Sequence, residues 1–179
     1  MKKKTIGTVW LAGCSGCHMS LLDIDERMLE VLKLADIVKS PIVDGKEFPE
    51  VDIALVEGAV GSEEHLDEIL HIRAKAKIVV SFGDCAVSGN VSSMRNYLKT
   101  QEVLARSYEE AESNDSKQIP NAAEILSLSH RVHPLHEVVN IDYYIPGCPP
   151  SADTIFYVLN ELLNDRVPDL AVIGGPKHG

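Results

Sequence analysis

The chain has 179 residues, with 17 Lys and Arg against 27 Asp and Glu, a formal net charge of −10. That length suits one domain with its own core, and 45% hydrophobic with 25% charged residues is globular composition, which excludes wholesale disorder. A pI near 5.1 and only nine aromatic residues argue against nucleic acid as a partner, and no run approaches the ~18 apolar residues of a membrane span.

Ile6 to Ala12 is a short apolar, β-branched run ending at Gly13, which predicts a strand followed by a tight loop. Met19, Leu22, Met28, Leu29 and Leu32 recur at helical spacing behind Ser20, Asp23 and Asp25, predicting a helix over 18–34. A weak strand over 36–40 is closed by Pro41, and the VDIALV run at 51–56 predicts a strong buried strand ending at Glu57 and Gly58. A helix over 62–74 opens on Ser-Glu-Glu, whose acids suit a helix N-terminus. The KIVVSF run at 77–82 predicts the next strand, closed by Gly83.

The rhythm then loosens. A loop from 84 with a short helix near 94–98, a helix over 100–111, a polar linker over 112–121 and a short helix over 122–128 are expected. A strand over 139–145 stops at Pro146-Gly147, a Ser-capped helix spans 151–164, and the tail from Val167 ends loosely in GGPKHG. Alternation of unbroken apolar strands with helices predicts a parallel sheet covered on both faces. The simplest topology is a flavodoxin-like three-layer sandwich spanning 1–179 as one domain, with an irregular helical and loop insertion at about 86–138. Sites in such folds lie at the carboxyl ends of the strands.

All four cysteines fall there. Cys14 and Cys17 follow the first strand, Cys85 follows the KIVVSFGD segment, and Cys148 follows YYIPG, in the pattern C-x2-C-x67-C-x62-C. Glu57 ends the strand between them in sequence. Four thiols at one edge of a sheet suggest a shared metal ligand. Gly13, Gly16, Gly83 and Gly147 allow backbone to approach a bulky group, and Pro146, Pro149 and Pro150 stiffen the last loop. One knuckle plus two distant single cysteines favours a [4Fe–4S] cluster over structural zinc, which usually takes two knuckles close in sequence.

Other readings stand beside that one. Cys14-Ser-Gly-Cys17 has the spacing of a thioredoxin-like redox pair, though that leaves Cys85 and Cys148 unused. The basic start Met1-Lys2-Lys3-Lys4 and the box Leu11-Ala12-Gly13-Cys14 look like a lipoprotein signal, but Thr5 to Trp10 is short for its apolar region, and cleavage would remove the first strand. With no twin-Arg or Sec-like segment, the cytoplasm is the expected compartment. His18 is a candidate to tune a cluster by a hydrogen bond. His130, His133 and His136 are interrupted by Pro134 and read as partner-facing or capping groups rather than a metal site. Glu63, Glu64, Asp67 and Glu68 read as a solvated helix face. Cys14 and Cys17 occupy the place of a flavin phosphate loop, so FMN on this chain would have to bind elsewhere.

Four motifs in order, GCSGCHMSLLDIDE (13–26), VEGAV (56–60), GDCAVSGN (83–90) and YYIPGCPPSADTI (143–155), resemble the small subunit of nickel–iron hydrogenases. The likeness is nearest to the short subunit of the cytoplasmic, NAD-reducing bidirectional type, related to the 20 kDa cluster subunit of NADH:quinone oxidoreductase. The spaced Cys14 and Cys17 favour the hydrogenase side, since the quinone-reducing relatives carry adjacent cysteines there. The resemblance implies that Cys14, Cys17, Cys85 and Cys148 ligate one proximal [4Fe–4S] cluster. From its place at the same sheet edge, Glu57 is expected to relay protons or to pack against loop amides beside the cluster, and Gly13, Gly16, His18, Gly83, Gly147 and Pro149 are expected around it. The resemblance places the nickel–iron centre on a large-subunit partner, and FMN with further clusters on diaphorase subunits that reduce NAD⁺. This chain alone is expected to split no hydrogen. A related complex with another electron acceptor, and a zinc-stabilised interaction domain, are the alternative functions.

Overall fold

A computed structural model describes residues 3–43, 45, 47–122, 124–175 and 178. Met1 and Lys2 of the basic start, and three residues of the closing GGPKHG, lie outside the described residues. The strands are β1 (Lys4–Trp10), β2 (Ala35–Lys39), β3 (Val51–Glu57), β4 (Val60–Ser62), β5 (Ala76–Phe82), β6 (Leu128–His133) and β7 (Tyr143–Ile145). The helices are α1 (Gly16–Leu22), α2 (Met28–Leu34), α3 (Glu63–Lys75), α4 (Asp84–Ser88), α5 (Asn90–Ser93), α6 (Thr100–Leu104) and α7 (Ala152–Leu163).

Five strands form one parallel sheet in the order β2-β1-β3-β5-β7, the doubly wound order of a flavodoxin-like α/β fold. Alternate side chains of each strand enter opposite layers. Ile6, Ile53, Leu55, Val80, Phe82 and Ile145 meet α1, α2 and α7 on one face. Val9, Ala54, Val56 and Val79 meet Ile69 and Ile72 of α3 on the other. Burial on both faces explains why the strands read as continuous apolar runs. Helix α7 sinks Ile155, Val158, Leu159, Leu162 and Leu163, each worth roughly 1.5–3 kcal/mol relative to exposure.

Capping residues set the helix starts. Ser62 accepts the His65 N–H at 3.1 Å and Ser151 that of Thr154 at 3.2 Å, each satisfying one orphan donor of a first turn. At the amino edge of the sheet, Asp52 accepts the Thr5 N–H at 2.8 Å and the Lys77 ammonium at 2.6 Å. It thereby ties the starts of β1, β3 and β5, and the Lys77 hydrogen bond holds its carboxyl below the usual carboxylate range. No described helix is long and apolar enough to cross a membrane.

Five expectations need correction. The loop expected from 84 instead begins with two short helices, α4 and α5. The single helix over 18–34 is two helices, because the chain turns at Asp25 (φ 55) through a 3₁₀ turn over Asp25–Arg27 while Ile24 points into the core; Asp tolerates that left-handed geometry better than most residues. The strand over 139–145 shortens to β7. There the Asp142 carboxylate takes the Val79 N–H at 2.7 Å in place of a ladder carbonyl, held by Arg73 at 2.6 Å. No helix forms over the described residues of 122–128, with Ala123 outside them; Leu128 instead begins β6, which pairs antiparallel with β4. The helix over 100–111 ends sooner, as α6 followed by a π turn over Ala105–Glu109. The Asn96 side chain meets both the N–H and the C=O of Val132 at 2.8 Å, closing part of the free edge of β6.

Candidate functional site

The chain steps from β1 out to β2 and returns to β3 on the other side of β1, so the strand order reverses at the carboxyl ends of β1 and β3. That crevice is where doubly wound sheets place their sites. The loop after β1 carries Gly13, Cys14, Gly16 and Cys17 and runs into α1; β3 ends at Glu57; Gly83 and Cys85 follow β5; Gly147, Cys148 and Pro149 follow β7. Fold and motifs therefore bring all the candidate residues to one edge.

All four cysteines are free thiols. Cys17 is buried, Cys85 half-buried, and Cys14 and Cys148 exposed. Burial first, then the charges of Glu57, Cys85 and Cys14, push the Cys17 thiol far above its usual range. Burial also raises Cys85, with the charges of Cys148 and Cys14 adding to it, while hydrogen bonds from the Ser92 side chain and backbone act the other way. Each cysteine thus lies within electrostatic reach of at least one other. A cationic metal group beside Cys17 and Cys85 would offset both shifts and hold these two as thiolates.

The backbone is shaped around the sulfurs. A β-carbon on Gly83 would lie 2.1 Å from Cys17 Sγ, and one on Gly16 would lie 3.2 Å from Cys14 Sγ. Gly83 adopts φ 83 and ψ 161, a region essentially reserved for glycine. Among the described residues, no three His, Cys, Asp or Glu side chains converge tightly enough to share one metal ion. The donor set and the glycine-lined cradle fit an iron–sulfur cluster.

Glu57 is buried, at 1% exposure. Its carboxylate accepts the Cys17 N–H at 3.3 Å and the His18 N–H at 3.0 Å, and lies 2.5 Å from His18 Nδ1. It satisfies donors of the first turn of α1, which carries Cys17. The His18 ring packs edge-on against Phe82, and its Nε2 is buried with no hydrogen-bond partner among the described residues. Gly13 sits against the turn at Gly58, with Ala12 and Ala59 exchanging backbone hydrogen bonds at 3.0 and 2.9 Å. Cys148-Pro149 is a cis peptide bond.

Two groups at this edge escape sequence reasoning. Asp84 is buried and accepts the Gly147 N–H at 2.7 Å while its own N–H donates to Gly147 O at 2.9 Å, joining the Cys85 and Cys148 loops. The hydroxyl of Ser20, one turn into α1, donates to Pro150 O at 2.5 Å. A carboxylate next to Gly83 in the GDC motif is the available signal for Asp84; Ser20 has none beyond its place on the helix. Away from the site, His133 pairs with Glu137 at 2.6 Å, His136 packs on the Tyr144 ring and His130 is exposed. Glu63, Glu64 and Asp67 face solvent, with Glu68 half-buried.

Residues 14–162, a span holding all four cysteines and Glu57, match the family model described as the 20 kDa subunit of NADH ubiquinone oxidoreductase. The delta subunit of the NAD-reducing hydrogenase HoxS of Cupriavidus necator is 41% identical over 94% of this chain and 82% of its own length. A subunit of the F420-non-reducing hydrogenase of Methanothermobacter marburgensis is 40% identical, and this chain spans 56% of its length. In the crystal structure of an NAD⁺-reducing [NiFe]-hydrogenase in the H₂-reduced state, one chain superposes with a TM-score of 0.91 at 40% identity, covering 94% of this chain and 95% of that one.

Proposed function

Because this chain belongs to the family of the 20 kDa subunit of NADH:ubiquinone oxidoreductase, we propose that it is the electron-transfer small subunit of a nickel–iron hydrogenase. In this reading Cys14, Cys17, Cys85 and Cys148 hold one [4Fe–4S] cluster, the one proximal to the nickel–iron centre of a large subunit. The observation that carries it is that four free thiols stand on three loops at the carboxyl edge of one parallel sheet, with Gly83 and Gly16 leaving room beside Cys17 Sγ and Cys14 Sγ. The cluster would supply one-electron transfer. The identity to a subunit named for NAD reduction supports onward transfer to diaphorase subunits bearing FMN and further clusters, in the cytoplasm.

The residues around the cysteines take stated parts. Gly13, Gly16, Gly83, Gly147 and Pro149 shape the loops so that the sulfurs can face a common body, and His18 with Glu57 anchors the first turn of α1 behind Cys17. The 2.5 Å contact of His18 Nδ1 with Glu57 Oε2 gives this pair a second part as a proton relay. A lipid anchor at Cys14 is disfavoured, because processing there would excise β1, which pairs with both β2 and β3.

Iron, sulfide and zinc analysis with reduced-state EPR, on the complex purified anaerobically from its host, tests the reading. At least about four irons and four sulfides per copy of this chain are expected, beyond those of the partner subunits, with nickel copurifying and NAD⁺-linked hydrogen oxidation. Stoichiometric zinc without iron would overturn it in favour of the zinc-stabilised domain. Glu57→Gln sets an amide NH₂ against one of the two backbone N–H groups, so a stability loss of about 1–3 kcal/mol is expected. Hydrogen turnover should fall while cluster content persists; normal turnover with full iron would remove the relay role and leave the ligand assignment standing.

A further inference from the structure

Arg95 carries a positive charge that the fold does not answer. Its guanidinium is half-buried and donates to Ser129 O at 2.8 Å and to Gly61 O at 3.0 Å. These bonds tie the turn after α5 to β6 and β4, but both acceptors are neutral carbonyls. Among the described residues Arg95 forms no ion pair, although Asp and Glu number 27 in the chain. Burial lowers its pKa, the direction of a cation withdrawn from water without a counter-charge. The side chain borders a cavity of about 340 Å³ that reaches Gly13, next to Cys14. His65 stands on the same wall. Its Nδ1 accepts the Gly61 N–H at 3.4 Å, so the neutral ring keeps its proton on Nε2. Leu126 and Leu128 line the cavity yet remain exposed, and Val91 and Met94, within one turn of Arg95 in the chain, are exposed as well.

Resting on the reading of this chain as a hydrogenase small subunit, we propose that the Arg95 cavity is a socket for an acidic side chain of the large subunit. The wall presents a cation and N–H donors, which select an anion and repel a metal ion. A carboxylate takes two parallel N–H···O bonds from a guanidinium, and Arg95 has donors left after Gly61 and Ser129. The apolar rim decides what carries that carboxylate. A free small anion would leave Leu126, Leu128, Val91 and Met94 in water. A protein surface covers them around a central arginine, the common build of an interface. Gly13 in the wall puts the contact beside the Cys14 loop, the edge at which, in this reading, the large subunit meets the cluster.

Arg95→Gln and Arg95→Lys are compared in the anaerobically purified complex, with Arg166→Gln, which breaks an exposed pair with Glu161, as control. On dilution followed by sedimentation, the Arg95→Gln complex should dissociate at roughly thirtyfold or more higher concentration than the wild type, with iron per chain unchanged. The control should dissociate like the wild type. Arg95→Lys keeps the charge, and a carbodiimide should join its new amine to an Asp or Glu of the large subunit, located by mass spectrometry. Wild-type affinity in Arg95→Gln would overturn the proposal. So would a cross-link from position 95 to a diaphorase subunit or back to this chain, or none in an assembled Arg95→Lys complex. Loss of the chain's own fold and cluster in both variants would also overturn it, leaving Arg95 as a tie between β4 and β6. A wild-type preparation without a nickel-bearing partner would instead defeat the underlying reading, and nickel content separates the two failures.

Discussion

Cys148→Ser should abolish the [4Fe–4S] signal and lower hydrogen-dependent NAD⁺ reduction by at least about a hundredfold, since changing even the outer partners of a metal site costs 10–100-fold. Cys148 is the best test of ligation because it is exposed on the loop after β7 and buries no core surface. The contacts that shape its loop are made by neighbours: Gly147 exchanges hydrogen bonds with Asp84, and Pro150 O receives the Ser20 hydroxyl. A serine there removes a thiolate and leaves the fold intact. Thermal unfolding of the cluster-free variant should therefore match that of the cluster-free wild type, while iron per chain drops. A full-strength cluster signal in the variant would show that the fourth ligand lies elsewhere. The same exchange at Cys17 would mix two effects, because Cys17 is buried in the core beside Leu21 and Ile24.

Gly83→Ala should destabilise even the cluster-free chain by about 3 kcal/mol or more and prevent cluster assembly. Its φ of 83 with ψ 161 costs an alanine about 1–3 kcal/mol, and the added β-carbon would stand 2.1 Å from Cys17 Sγ. Neither side can yield cheaply. Gly83 N–H is bonded to Ile145 O at 2.8 Å, and Cys17 sits in the first turn of α1, held by Glu57. Gly45→Ala, at an exposed glycine with nothing within 4 Å, is the control and should change stability by less than about 0.5 kcal/mol. Urea unfolding of the apo-protein and iron content of the complex read the two consequences separately. Wild-type stability with full iron in Gly83→Ala would mean that the β5 loop does not press against Cys17.

The amino-acid sequence by itself determines the parallel sheet and the edge where the chemistry sits. Strands such as VDIALV and KIVVSF are buried on both faces, so their burial is written as unbroken apolar runs that need no partner to be recognised. Because parallel strands all point one way, residues following them share an edge, and the order of strands and cysteines along the chain is enough to gather all four thiols there. The cap residues Ser62 and Ser151 are legible for a similar reason, since a cap acts within one turn of itself. Tertiary structure decides what depends on distant partners. The β4–β6 pair joins three residues near 61 to a strand near 130, and a pairing so short and so remote leaves little pattern in either segment. The break at Asp25 follows from the burial of Ile24 against the sheet, which helical spacing cannot foresee. Ser20 and Ser92 are polar residues without a visible task until folding sets one hydroxyl on Pro150 O and the other on Ala12 O. Local sequence records which residues prefer an element and which face it buries; which loop bonds to which is settled only when separate elements pack.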